Sequence, residues 1–147
     1  RASGFTLMEL LVAMAIAGLV VAVSVPASMR LYESMQYRSA VRDVVSALNG
    51  ARNRAIDSGQ IQDVAVNPRA RQLRVEGHVQ PLPRKLALTV HAAKQLNDSD
   101  WGVIRFYPAG GSSGGGVDIE RPNGDGVRIA VDWLVGTVQQ ERYATDQ

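Results

Sequence analysis

The sequence predicts an α+β protein in which a long N-terminal helix packs on a small, mainly antiparallel β-sheet domain. Three observations lead to this prediction. Residues 5–29 form an apolar run in which Glu9 is the only charge. An amphipathic helical pattern continues over residues 30–58, and residues 59–147 consist of short apolar segments separated by glycine, proline, asparagine and aspartate. The first two segments predict the helix, and the third predicts the sheet domain.

The composition excludes several classes of function. The chain of 147 residues has 16 Lys+Arg, 14 Asp+Glu, 2 His and no Cys. The absence of cysteine excludes disulfides, thiolate catalysis and cysteine-based metal sites, and it leaves the cellular compartment open. Residues 61–147 hold 10 basic and 10 acidic side chains. Because nucleic-acid-binding domains usually carry a clustered basic excess, this balance disfavours nucleic acid as a partner.

The apolar run is long enough to cross a membrane. Residues 10–23 contain no polar side chain, and a helix that rises about 1.5 Å per residue over 5–29 reaches across a ~30 Å hydrocarbon layer. A buried helix of a soluble protein is the first alternative, although such helices usually keep a polar stripe. A cleavable secretory signal is the second, and it is disfavoured because the run is long and begins close to residue 1.

Glu9 is the unusual residue of this segment. A carboxylate at the centre of a bilayer costs about 2.5 to 3.5 kcal/mol, and less near the interface. Glu9 is therefore either an interfacial side chain solvated by headgroups or a group that has a specific partner.

The string SGFTLME at residues 3–9, with the apolar helix behind it and Pro26 within it, resembles the N-terminus of the type IV pilin superfamily, which includes the pseudopilins of type II secretion. The resemblance implies that residues 1–4 are the remainder of a leader peptide. A membrane-embedded prepilin peptidase would cut between Gly4 and Phe5 and methylate Phe5. Such leaders usually run longer, so we expect the chain to be truncated at its N-terminus.

The same resemblance implies roles in assembly for three further residues, Thr6, Glu9 and Pro26. Glu9 would meet the amino terminus of a neighbouring subunit, since a buried carboxylate and a buried ammonium group become tolerable when paired. Pro26 removes one helical hydrogen bond, and we expect it to bend or loosen the helix without ending it. Gly59 is the expected end of the amphipathic continuation, which covers residues 30–58.

The segments after Gly59 predict one small antiparallel sheet. The apolar stripe of residues 41–55 is expected to pack on this sheet and to complete its hydrophobic core. Asn67-Pro68 and residues 123–126 (NGDG) predict turns. The expected strands are 61–66, 72–76, 87–90, 103–107, 117–120 and 127–134.

Residues 104–116 and 129–136 resemble the C-terminal domain of one branch of the superfamily, which comprises the minor pseudopilin H of type II secretion and related minor type IV pilins. Residues 77–100 match no family pattern. The resemblance implies a structural subunit without catalysis or cofactor, held in the bacterial inner membrane by one helix with its folded domain in the periplasm. Its partners would be prepilin peptidase and the other minor and major pseudopilins at the tip of a periplasmic pseudopilus.

Two alternatives share this fold, a minor type IV pilin and a DNA-uptake receptor. The resemblance places the basic residues of such receptors near the C-terminus, at residues 136–142 of this chain. Thr137 occupies a position where a basic residue is expected, and Glu141 adjoins Arg142. DNA binding is therefore disfavoured.

Other candidate sites are weak. The glycine-rich residues 110–116 lack the Lys-Ser or Lys-Thr of a phosphate loop and predict a flexible hairpin connection. His78 and His91 lack a third ligand, so no metal site is expected. No serine lies in a hydrolase motif, and we expect no enzyme. The basic side chains between residues 69 and 85 predict a solvated edge strand and loop; they are Arg69, Arg71, Arg74, Arg84 and Lys85.

Overall fold

The computed structural model describes Gly4 and residues 6–144. A single helix, α1, runs from Leu7 to Ser58 and passes through Pro26 without ending. It stops where expected: Gly59 has a φ of 67°, a left-handed conformation that glycine adopts at helix ends without a Cβ penalty. The chain divides into two compact units, one up to Gln36 and one from Tyr37 onward.

The C-terminal unit contains eight strands in two antiparallel sheets, instead of the one sheet expected. The strands are β1 Gln62–Asn67, β2 Gln72–Val75, β3 His78–Pro81, β4 Ala87–His91, β5 Gly102–Phe106, β6 Gly115–Glu120, β7 Gly126–Val131 and β8 Val138–Tyr143. The first sheet has the order β3-β2-β1-β5 and the second has the order β4-β6-β7-β8. A short 3-10 helix, Lys94–Leu96, precedes β5.

The core of this unit lies between α1 and both sheets. Successive inward side chains of β7 are Val127, Ile129 and Val131, which are at most 5% exposed and alternate with the exposed Arg128 and Ala130, as the period of two requires. The helix contributes small and medium side chains at three-to-four spacing. The buried members of α1 are Tyr37, Ala40, Val41, Val44, Leu48, Ala51 and Ala55.

The strand expected at 127–134 ends at Val131, because a turn follows it. The carboxylate of Asp132 accepts hydrogen bonds from the backbone N–H groups of Leu134 and Val135, at 2.8 and 2.9 Å. This side-chain-closed turn reverses the chain, and the backbone then enters β8. The two turns expected from the sequence are present, since Asn67 caps the β1–β2 connection through a 2.8 Å bond from the Ala70 N–H, and residues 121–125 close the β6–β7 hairpin.

The glycine-rich segment first reverses the chain, because Phe106 and Ser112 form an antiparallel bridge, and it then crosses to the other sheet, which the sequence did not predict. Strand β5 pairs with β1, and β6 pairs with β4 and β7. Backbone hydrogen bonds fix the crossover to two segments. The Ser113 N–H donates to the Arg105 carbonyl of β5 at 2.8 Å, and the Ser112 N–H donates to the Trp133 carbonyl after β7 at 2.9 Å.

Candidate processing and assembly site

The expected processing site lies at the start of the chain. Gly4 is exposed, and a Cβ added to it would have no heavy atom within 4 Å. Residues 1–3 of the expected leader and Phe5, the expected methylated residue, lie outside the described residues. The cut between Gly4 and Phe5 and the methylation therefore stay predictions.

Thr6 caps the N-terminus of α1. Its hydroxyl oxygen accepts a 3.2 Å hydrogen bond from the Glu9 N–H, and its carbonyl accepts one from the Leu10 N–H at 3.2 Å. A Thr cap with Glu three residues later is the sequence pattern of a capping box. Glu9 is exposed in the first turn of the helix, where the positive end of the helix dipole favours a negative charge.

The helix surface that follows Glu9 is apolar and uncovered in the isolated chain. Among the described residues, one helix contains a window of 18 residues that is long and apolar enough to cross a membrane, and none of that window is buried. Its large apolar side chains are at least half exposed, from Leu7 at 79% to Val12 at 50%. This surface needs either lipid or the apolar helices of neighbouring subunits around it.

Pro26 lies inside this helix and cannot donate a backbone hydrogen bond. Two residues later, the Ser28 hydroxyl donates to the Ser24 carbonyl, one turn back, at 2.9 Å. Hydroxyl groups that bond back to the preceding turn compete with the backbone donors of a helix. Both features affect the backbone hydrogen bonding of the helix between residues 24 and 28.

The two histidines of the chain are not brought together in a metal site within the described segment, which holds no group of three metal-ligating side chains. His91 Nε2 lies 3.0 Å from Asp118 Oδ2, and Arg128 donates to both oxygens of Asp118 at 3.0 and 3.1 Å. Hydrogen bonds from Arg128 hold the pKa of Asp118 below its usual value, and the hydrogen bond with His91 lowers it further. Burial of the carboxyl group acts in the opposite direction. This cluster joins β4, β6 and β7 across one sheet face.

The basic residues between positions 69 and 85 do not line a single edge strand. Arg74 belongs to β2, which lies between β1 and β3. The side chains have separate contacts: Arg69 reaches Asp100 at 3.3 Å, Arg71 donates to the Leu86 carbonyl at 3.2 Å, and Arg74 stacks over the Trp101 ring at 4.5 Å.

Sequence reasoning missed a cleft of about 670 Å³ in the C-terminal unit. Three segments line this cleft: residues 37–42 of α1, the β6–β7 hairpin, and the end of β8. We call it the arginine groove. No sequence signal could have found it, because its cations are up to 104 positions apart; they are Arg38, Arg42, Arg121 and Arg142.

Comparison with known proteins connects these features. A family model described as "Prokaryotic N-terminal methylation motif" matches residues 1–25. The chain is 29% identical over 138 residues to type II secretion system protein H of Xanthomonas campestris pv. campestris, covering 92% of this chain and 81% of that protein.

Two solved structures have a similar fold. The minor pseudopilin EpsH from the type 2 secretion system of Vibrio cholerae superposes with a TM-score of 0.58 at 13% identity, over 73% of this chain and 97% of that chain. The type IV minor pilin FimU of Pseudomonas aeruginosa gives 0.54 at 15% identity, over 74% of this chain and 90% of that one. At these identities the likeness concerns the fold alone.

The chain therefore carries an N-terminal methylation motif and an exposed apolar helix, and its fold is similar to that of a minor pseudopilin and a minor type IV pilin. The similarity to protein H extends over nearly the whole chain, whereas the motif covers only its first 25 residues. The sequence similarity is to a protein H, and the fold similarity includes EpsH.

Proposed function

We propose that this chain is a minor pseudopilin of the type II secretion system, a structural subunit of the periplasmic pseudopilus needed for export of folded proteins across the outer membrane. The similarity to a type II secretion system protein H over 92% of the chain carries this proposal. The exposed apolar helix supports a single-pass position in the inner membrane before assembly. The domain from Tyr37 onward would then lie in the periplasm.

Maturation begins with prepilin peptidase, which we propose removes residues 1–4 and methylates Phe5. Support comes from the methylation motif at residues 1–25 and from the exposure of Gly4. The absence of a Cβ at Gly4 leaves the backbone open to a peptidase, and a larger side chain there would obstruct it.

Assembly then moves the apolar helix from lipid to the helices of other pseudopilins. Both environments are apolar, so the transfer has little hydrophobic cost. Glu9 would pair with the amino terminus of a neighbouring subunit and fix the axial register between the two helices. Its position in the capped first turn supports this role, since Thr6 holds the backbone of that turn in place. Pro26 would permit local loosening during the transfer.

The experiment is the protein profile of culture supernatants from a strain that lacks the gene, its parent and a complemented strain. We expect exoenzymes to leave the supernatant of the deletion strain and to accumulate in its periplasm, with recovery on complementation. An unchanged supernatant would exclude the proposed function.

A minor type IV pilin is the second candidate, because the fold also matches FimU. Loss of twitching motility or of surface pili in the same deletion strain, with normal secretion, would establish that function instead.

A further inference from the structure

Among the residues that the structure describes, more arginines than carboxylates line the arginine groove. Four arginines line it, and Asp125 is the one carboxylate among the described residues that does so. Asp125 Oδ2 already accepts a 2.7 Å hydrogen bond from the Asn123 amide. The groove therefore presents an excess of guanidinium donors to any group that enters it.

Arg121 is fixed in place but incompletely satisfied. Its guanidinium carbon lies 4.0 Å from the centre of the Tyr37 ring, a cation–π contact that holds the side chain. Its Nε is buried, and the described part of the chain offers it no hydrogen-bond partner. Leaving such a buried donor without a partner costs free energy.

The second aromatic wall is also held in a defined position. Tyr143 packs against Gly126, where an added Cβ would come within 2.5 Å of the ring, and its hydroxyl donates to Glu120 at 3.4 Å. Val41 and Val127 also line the cleft. The cleft thus combines two tyrosine rings, apolar side chains and four arginines.

We propose that the arginine groove is a docking surface for an acidic segment of a neighbouring pilin-type subunit, whose carboxylates pair with Arg121 and Arg142 while its apolar side chains contact Tyr37 and Tyr143. Planar guanidinium groups suit carboxylates because they donate two parallel hydrogen bonds. Arginine and tyrosine are also the residue types that most often dominate protein–protein interfaces.

A nucleic acid is the less suitable occupant. A polyanion is bound by basic side chains spread along its path, whereas residues 61–147 of this chain are balanced at 10 basic and 10 acidic side chains. The groove itself has a volume of about 670 Å³, which suits a short run of carboxylates.

The proposal is tested first with purified full-length chain in a non-ionic detergent. The probes are fluorescently labelled hexaglutamate and hexaglutamine peptides, with binding followed by anisotropy at low ionic strength. We expect hexaglutamate to bind and hexaglutamine not to bind. The double variant Arg121→Gln/Arg142→Gln should weaken hexaglutamate binding by on the order of tenfold or more.

Matched controls separate the groove from general charge. Arg69→Gln/Arg84→Gln removes the same charge outside the groove and should bind like the parent. Arg142→Gln alone, at an exposed position, keeps the Arg121–Tyr37 contact and tests the groove without risk to the fold. Equal binding of the two peptides, or equal loss in groove and control variants, would overturn the proposal. Tighter binding of a single-stranded oligonucleotide that is lost in the groove variant would overturn it as well.

The identity of the occupant rests on the proposed function and is tested in cells. A photo-crosslinking amino acid replaces Gln140, an exposed residue that lines the groove, and the crosslinked peptide is sequenced by mass spectrometry. We expect an Asp- or Glu-rich peptide of another pilin-type subunit, absent in the Arg121→Gln/Arg142→Gln background and present in the control background. A crosslink to lipid or nucleic acid would overturn the docking proposal. Failure of the function itself would instead appear as normal secretion in the deletion strain.

Discussion

Arg128 and Asp118 are direct cross-strand neighbours in β7 and β6, and two hydrogen bonds of 3.0 and 3.1 Å join guanidinium and carboxylate. The Asp118 side chain is only 12% exposed, and His91 of β4 reaches it from the other side. One carboxylate therefore ties three of the four strands of the second sheet.

The first prediction concerns acid stability. The pKa of Asp118 is lowered in the folded chain, chiefly by Arg128, so its ionised form stabilises the fold above the ordinary aspartate pKa of about 3.9. This contribution is lost as the pH falls through the lower, folded pKa. Asp118→Asn should reduce the free energy of unfolding at neutral pH by about 1 to 2 kcal/mol and should flatten the acid decline.

Denaturant unfolding followed by far-UV circular dichroism at several pH values measures this effect. Asp43→Asn, at an exposed position of α1, is the matched control and should stay within about 0.5 kcal/mol of the parent. If the free energy of unfolding of Asp118→Asn falls as steeply with acid as that of the parent, the Asp118 carboxylate does not govern acid stability.

The second prediction concerns processing. Gly4→Ala should be cleaved poorly by prepilin peptidase, and Gly4→Val should not be cleaved, because added bulk obstructs the backbone beside the cut. Intact-mass spectrometry of the membrane fraction reads out the mature terminus. A Gly18→Val variant makes the same substitution at a glycine within α1, away from the cut, and should be cleaved normally. A mature Phe5 terminus recovered from Gly4→Val would refute the cut site.

The third prediction concerns assembly. Glu9→Ala should be cleaved normally but should lose association with the other minor subunits, because the amino terminus that the carboxylate would pair with is left without a partner. Co-purification in detergent after expression in cells measures this loss. Glu9→Asp, which keeps the charge, should retain part of the association, whereas Glu9→Gln should not. Normal co-purification of Glu9→Ala would remove Glu9 from the assembly mechanism.

The fourth prediction tests the contribution of α1 to the core. Leu48 is fully buried between the helix and the sheets, and Leu48→Ala should lower the free energy of unfolding by about 2 to 5 kcal/mol through cavity formation. Leu134→Ala makes the same chemical change at a side chain that is 65% exposed and should have little effect. Chemical denaturation of the two variants side by side gives the comparison, and similar losses in both would contradict the described core.

The sequence predicted those elements that have a one-sided apolar pattern. Helix α1 and its end at Gly59 were expected, as was β7, whose inward Val127, Ile129 and Val131 alternate with outward residues. Strands β3 and β8 were missed because neither has a fully buried side chain. Edge strands of this kind lack the period-two signal on which the prediction depends.

The connections between the sheets and the arginine groove could not be predicted from local sequence patterns, for a different reason. The glycines of 110–116 indicated unusual backbone angles, and Gly110 and Gly114 do have positive φ values. They carried no information on which sheet each flanking strand joins. The arginine groove likewise combines residues of α1, of the β6–β7 hairpin and of β8, which only long-range strand pairing brings together.

The helix that is expected to be anchored in lipid also supplies a layer of the core, and this sets an order of events during synthesis. The ribosome makes residues 7–58 first, and β7 and β8 are made last. The buried residues of α1 therefore stay uncovered until the last strands are made, and a chain anchored as proposed would be tethered to the bilayer throughout that interval. The concentration of this aggregation-prone intermediate in free solution is thereby kept low before the fold is complete.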